Sequence, residues 1–189
     1  MGAVEPRPPE RIDLGDVVLR RYTPDDAAAL SAVATAERDH LSPWMAWATA
    51  EGVTVAAMTT FIAETNGRAH EGTEAVYGIF PASRGLPVGA CGLHDRIGPG
   101  GVEIGYWLAR GVTGQGLMTR VVGTLTDLVL TLDDIRFVEI HCDEANARSA
   151  AVPRRLGYAL ARTEGCEVAA PAEVGRQQIW VRAEPNGVT

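Results

Sequence analysis

Three glycines, Gly111, Gly114 and Gly116, crowd the stretch "ARGVTGQGLMTR", which begins at Ala109. The run before it, "VEIGYWL", reads as a strand, and the run after it, "VVGTLTDLVLTL", reads as a helix. Glycine weakens either element, so the turn must need something that only glycine supplies. Glycine lets the backbone approach a ligand closely and take positive φ. The helix start adds unpaired N–H groups and the positive end of the helix dipole. Together they suit a phosphate or pyrophosphate, against the plainer reading of a tight turn. A P-loop would require a lysine, and the chain has none. A dinucleotide fingerprint would require a third glycine where Thr119 stands.

Other chemistry-bearing residues show no such spacing. Cys91, Cys142 and Cys166 are far apart, with no C-x-x-C pair, and read as buried free thiols in a reducing compartment. His40, His70, His94 and His141 lack ligand spacing, so no metal is expected. The net charge of −7, with all 17 basic residues arginine, argues against nucleic acid as the main partner. The absence of lysine also excludes a lysine Schiff base. No apolar run is long enough to span a membrane, and the first residues, "MGAVEPRPPERIDLGD", lack the apolar region of a secretory signal. The expectation is a cytoplasmic domain over residues 12–185, preceded by a flexible tail over residues 1–11.

The elements that must hold the glycine turn follow from patterning. "VVLRRY" is a strand, and Thr23 with Pro24, Asp25 and Asp26 opens a helix. "DHLSPWMAWATAEG" is a loop, followed by a helix from about Val53 to Arg68. "EAVYGIFP" and "PVGACGLHD" are strands joined by the hairpin-like link "ASRGL". Leu117, Val121, Leu125, Leu128 and Leu132 line one helical face. "RFVEIHC" is a strand, "NARSAAVPRRLGY" a short helix ended at Gly157, and "RQQIWVRA" a final strand. Pro153 makes the opening of that short helix irregular in this reading. The order β-α-α-β-β-β-α-β-α-β-β gives an α/β fold, a mixed sheet with helices on its faces.

The glycine stretch resembles the acyl-CoA signature Q/R-x-x-G-x-G/A of the GNAT N-acetyltransferases. "GVTGQG" matches at Gly114 and Gly116 and departs at Gly111, where a polar side chain is usual. "LRRYTPDDAAAL", "HLSPWMAWA", "EIGYWLARGVTGQGLMTR" and "EIHCDEANARSAAVPRRLGY" resemble, in order, segments of the RimJ/RimL branch of that family. The resemblance implies the GNAT fold as a single domain. Its central mixed, mostly antiparallel sheet would have about seven strands, splayed at two middle parallel strands and flanked by about four helices.

It also implies acetyl-CoA as cosubstrate and an amine acceptor. The pantetheine arm would pair with the strand backbone near Trp107, Leu108 and Ala109. The pyrophosphate would sit on the amides of Gly114, Gln115, Gly116, Leu117 and Met118, with Met118 and Thr119 lining the helix opening. Asn146 would bond the pantetheine, and Ser149 would lie near the CoA sulfur, since Pro153 occupies the place of the tyrosine that many family members use. Trp44, Met45 and Trp47 would wall the acceptor pocket, unless one tryptophan belongs to the core. Alternation puts Glu103, Gly105 and Trp107 on one face of their strand. Glu103 is thus the first choice for a base or an amine-recognition residue, with Glu139 and His141 as second choices. The acceptor implied is a protein or peptide N-terminus, with a small-molecule amine as runner-up and a non-catalytic CoA-binding sensor as the rival class. A homodimer remains open.

Overall fold

Side chains of a strand alternate between the two faces of its sheet, and here each face meets its own set of helices. The computed structural model describes residues 8–83 and 85–183. The chain forms β1 (Arg11–Asp13), β2 (Val17–Arg21), α1 (Ala27–Ala36), α2 (Arg38–Leu41) and α3 (Val55–Glu71). There follow β3 (Glu74–Pro81), β4 (Gly89–His94), β5 (Gly101–Leu108), α4 (Leu117–Val129) and β6 (Phe137–Asp143). α5 (Ala147–Arg155), β7 (Ala159–Gly165) and β8 (Arg176–Ala183) complete it. One eight-stranded sheet runs β1-β2-β3-β4-β5-β6-β8-β7. Every neighbouring pair is antiparallel except β5 and β6, which are parallel.

On one face Leu19, Tyr77, Ile79, Cys91 and Ile104 pack against Val121, Val122 and Leu125 of α4. α4 is strongly amphipathic for the reason its spacing implied: Val121 and Leu125 are fully buried, while Leu128 and Leu132 are partly buried at the margin. On the other face Tyr22, Val76, Phe80 and Ala90 pack against Leu30 of α1 and Met58 and Ile62 of α3. Burying each of the Val, Leu, Ile, Phe and Met side chains among these is worth roughly 1.5–3 kcal/mol, so the two layers fix the sheet between them.

The parallel pair controls the site. β5 and β6 pair only at Gly101↔Phe137, Val102↔Val138 and Glu103↔Glu139. Beyond Glu103, β5 continues against β4 as far as Leu108, and β6 continues against β8 as far as Asp143. The two strands therefore part, and Ile104–Leu108 turn one edge of their backbone toward an opening.

Two elements exceed the expected count. β1 is three residues long and α2 four, too short for a periodic pattern. Residues 1–7 of the expected tail and 184–185 of the expected domain lie outside the described residues, whereas Arg11 begins β1 opposite Arg20. Cys91 and Cys142 are buried, but Cys166, just after β7, is exposed, because β7 is an edge strand.

Candidate active site

The glycine turn reaches α4 through a short 3-10 turn, Arg110–Val112. Gly114 and Gly116 have φ of +76° and +78°, and at both the space a Cβ would occupy is open. Gly116 is the N-cap of α4, and no side chain caps the helix. The first amides of α4 therefore face outward without a capping partner. They open on a cavity of about 710 Å³ that runs to Ser149 on α5. Trp107, Leu108, Gly114, Gly116, Leu117, Met118, Thr119, Asn146 and Ser149 all line it. Ala109 and Gln115 do not: the Ala109 N–H is spent on the Val88 carbonyl, and the Gln115 amide donates back to the Gly111 carbonyl. Arg148 and Arg155 line the same cavity without an acidic partner among the described residues, and no carboxylate lines it. Neither arginine was singled out in the sequence. Their spacing of seven on one helical face was the available signal.

α5 begins at Asn146, whose Oδ1 accepts the Ser149 N–H at 3.1 Å and leaves its amide nitrogen as donor. Pro153 sits in the middle of α5 and has no N–H to give the Ser149 carbonyl, its i−4 partner. The Tyr106 hydroxyl supplies that donor instead, at 3.0 Å. This brings the Ser149 hydroxyl within 3.3 Å of the Tyr106 oxygen, to which it donates. Burial pushes the Tyr106 phenol well above its ordinary range, so it remains a hydrogen-bond donor. The sequence reading passed over Tyr106. The missing helix donor at Pro153 was the clue to it.

A second cavity, of about 770 Å³, lies on the α1/α3 face of the sheet. It shares Trp44, Met45, Tyr106, Trp107, Asn146 and Ser149 with the first, so the two meet where β5 and β6 part. Trp47 rims only the second and stacks obliquely on Trp107, with centroids 5.9 Å apart. None of the three loop residues is a core residue: Trp44 and Met45 are half-buried and Trp47 is exposed. Gly52 holds this loop in shape, since a Cβ there would sit 2.0 Å from the Trp47 carbonyl oxygen.

Glu103 lines the second cavity but is not solvated. Arg96 grips both carboxylate oxygens, at 2.7 and 2.5 Å. Burial alone would raise the Glu103 pKa, yet the Arg96 pair, aided by His141 and His94, holds it below its ordinary value. With its proton affinity lowered and both oxygens engaged by Arg96, Glu103 is poorly suited to take a proton. His141 bonds Glu139 at 2.6 Å and stands 3.8 Å from Glu103; of these two, only His141 lines the cavity. His94, not singled out in the sequence, also lines it, with Nδ1 2.5 Å from Glu74. Glu64, Asp143 and Glu173 add negative charge to the wall. Among the described residues, no group of three His, Cys, Asp or Glu is arranged to hold a metal. No helix there is long and apolar enough to cross a membrane.

Residues 16–159 match the acetyltransferase (GNAT) domain family, and the chain belongs to that family of acetyl-CoA-dependent N-acetyltransferases. No curated protein matches it in sequence. Among solved structures, it is similar to RimL, the ribosomal L7/L12 α-N-protein acetyltransferase, in complex with coenzyme A. The identity is 22%, covering 92% of this chain and 98% of that one, with a TM-score of 0.83. It is similar to the ribosomal-protein-S5-alanine acetyltransferase of Vibrio fischeri at 15% identity, over 93% and 97% of the two chains, with a TM-score of 0.83. The microcin C7 self-immunity acetyltransferase MccE, in complex with acetyl-CoA and AMP, follows at 19% identity, 89% and 93% coverage and a TM-score of 0.81.

The first cavity suits acetyl-CoA. Its uncapped helix start, open glycines and unopposed arginines complement a pyrophosphate, and the parted strand edge complements an amide-bearing chain.

Proposed function

We propose that the protein transfers the acetyl group of acetyl-CoA to a primary amine, by direct attack in a ternary complex, and that the acceptor is the N-terminal amine of a protein or peptide. One observation carries this reading: two cavities of opposite charge meet at Ser149 and Tyr106. Acetyl-CoA supplies an activated thioester; the chain supplies position and hydrogen bonds. The amides from Gly114 to Met118 hold the pyrophosphate at the uncapped start of α4, with Arg148 and Arg155 adding charge. Trp107 and Leu108 offer backbone to the pantetheine arm, and Asn146 offers its amide nitrogen. The Ser149 hydroxyl, turning from the Tyr106 oxygen to the departing sulfur, stabilises that sulfur through a hydrogen bond.

On the other side Trp44, Met45 and Trp47 wall the amine, and the carboxylates around Glu103 favour a cation. The likeness to ribosomal-protein N-terminal acetyltransferases supports a peptide acceptor. The cavity volume of about 770 Å³ also suits a whole small molecule, so a small-molecule amine is the second reading.

An acceptor screen separates them. Free thiol release is measured with acetyl-CoA and two panels, short peptides with unblocked N-termini and small polyamines or amino-acid-like amines, and products are weighed by mass spectrometry. The first reading expects peptides acetylated at the α-amine. Turnover confined to small amines establishes the second, and thiol release with neither panel contradicts both.

A further inference from the structure

The register of three adjacent strands sets a row across the acceptor face. Glu74 on β3 lies opposite His94 on β4, and His94 lies opposite Glu103 on β5. The row is held from outside as well. Arg68 of α3 binds one Glu74 oxygen, while the other faces His94 Nδ1 at 2.5 Å. A carboxylate only accepts, so the Glu74 oxygen beside Nδ1 favours the tautomer with its hydrogen there and the lone pair on Nε2. No polar atom among the described residues is hydrogen-bonded to Nε2.

The floor beneath the ring is bare. Gly92 and Gly105 are cross-strand partners. A Cβ at Gly92 would fall 2.5 Å from Nε2, and one at Gly105 would fall 3.5 Å from it. The ring thus lies back along β4, over two glycines, toward the next pair, Ala90 and Trp107. That is the direction of the junction where the two cavities meet. A side chain at Gly92 would collide with the ring, whereas at Gly105 it would only touch it, and both glycines also keep the floor of the cavity open.

We propose that His94, oriented by Glu74, takes the proton from the acceptor amine through Nε2, with Glu103 and Arg96 serving as a fixed charge pair beside it. This rests on the acetyl-transfer reading of the cavity. An α-amine with a pKa of about 8 arrives mostly as ammonium at pH 7. His94 accepts one of its protons. The freed nitrogen lone pair forms the C–N bond as the C–S bond breaks. The second amine proton ends on sulfur, giving the amide and the CoA thiol, and the proton on His94 passes to solvent.

The surrounding charges suit the task. Glu74 on β3, Glu103 on β5 and Glu64 on α3 are negative; Arg96, just beyond β4, and Arg68 on α3 are positive; His141 faces the row from β6. Burial and the Arg96 charge lower the His94 pKa, and Glu74 and Glu103 only partly restore it. The imidazole is therefore neutral at pH 7. The rate should fall as pH drops through a value below the ordinary 6.5 and His94 gains a proton.

Two measurements test this. The first is ¹⁵N-histidine NMR of the full chain. It should show His94 neutral at pH 7, protonated at Nδ1, titrating below about 6.5. A hydrogen on Nε2, or a charged His94 at pH 7, overturns the proposal whether or not any acceptor has been found. The second is kcat/KM against pH for a hexapeptide with a free N-terminal amine. His94→Gln should lose ~10²-fold at pH 7 and narrow that gap above the amine pKa, with acetyl-CoA affinity unchanged as the check on folding. Glu74→Gln should move the acidic limb to lower pH with a smaller loss. A wild-type pH profile in His94→Gln, or in His94→Asn if the first variant does not fold, overturns the proposal. Failure of the wild-type protein to release thiol with any amine overturns the acetyl-transfer reading instead, and the NMR result still decides the state of His94.

Discussion

The two cavities that meet at Ser149 recognise by different means. The α4 side is backbone and arginine: positive-φ glycines, uncapped amides, Arg148 and Arg155, and no carboxylate. The α1/α3 side is side chain: Glu64, Glu103, Asp143 and Glu173 with two histidines, a single arginine and a tryptophan rim. On the proposed reading an anionic cosubstrate and a cationic acceptor approach from opposite faces of one sheet, each toward its complementary charge. On that reading the pyrophosphate is held largely by main chain, which most substitutions leave in place. The acceptor is met by side chains, which a substitution changes directly.

The hardest way to break that contrast is to attack the main chain. Gly114→Val or Gly116→Val forces a branched residue into left-handed backbone and places a side chain where a phosphate must approach. Acetyl-CoA affinity, read by calorimetry, should fall at least ~100-fold, about 2.7 kcal/mol. Unchanged affinity in folded variants would remove the glycine turn from the account. Next comes the junction. Ser149→Ala should lower kcat by ~10²-fold, with acetyl-CoA affinity nearly intact, because a hydroxyl is a weak acid and sits at the low end of such effects. Tyr106→Phe also strands the Ser149 carbonyl, so it should cost ~1–3 kcal/mol in denaturant unfolding as well as turnover. The double variant should lose less than the product of the two, since the hydroxyls act together. Full additivity would show that they work apart.

Smaller effects sharpen the acceptor side. Gly52→Ala pushes on the Trp47 carbonyl and should raise acceptor KM by ~10-fold, about 1.4 kcal/mol, while acetyl-CoA affinity stays put. A matching loss for acetyl-CoA would mean the loop serves both cavities equally. Glu103→Gln should raise acceptor KM a few-fold with kcat little changed. A large kcat loss confined to low pH would instead restore Glu103 as the base and displace His94.

The same contrast explains what could be read from the sequence. The glycine turn and the α4 face are local, so spacing within one segment exposed them. Glu103, Gly105 and Trp107 could be placed on one face by alternation alone. The Glu74–His94 pair could not, because its members are neighbours only through the β3–β4 register. Its one signal was a glutamate opening one strand of a hairpin and a histidine closing the other. Arg96 follows the end of β4 in a turn, so its grip on Glu103 had no periodic trace. Pro153 was read as a disturbance at the start of α5; in the structure it sits within the helix and frees the carbonyl that anchors Tyr106. β1 and α2 escaped because three or four residues carry no period.

On the proposed reading acetyl-CoA enters from the α4 side and ends at the junction with the acceptor cavity. A crystal structure of the protein with coenzyme A tests it most directly. The pyrophosphate should rest on the amides from Gly114 to Met118, the pantetheine arm should lie along β5 beyond Glu103, and the sulfur should be within hydrogen-bonding reach of the Ser149 hydroxyl. A sulfur lying away from Ser149 and Tyr106, or a pyrophosphate lodged on the α1/α3 face, would contradict the account.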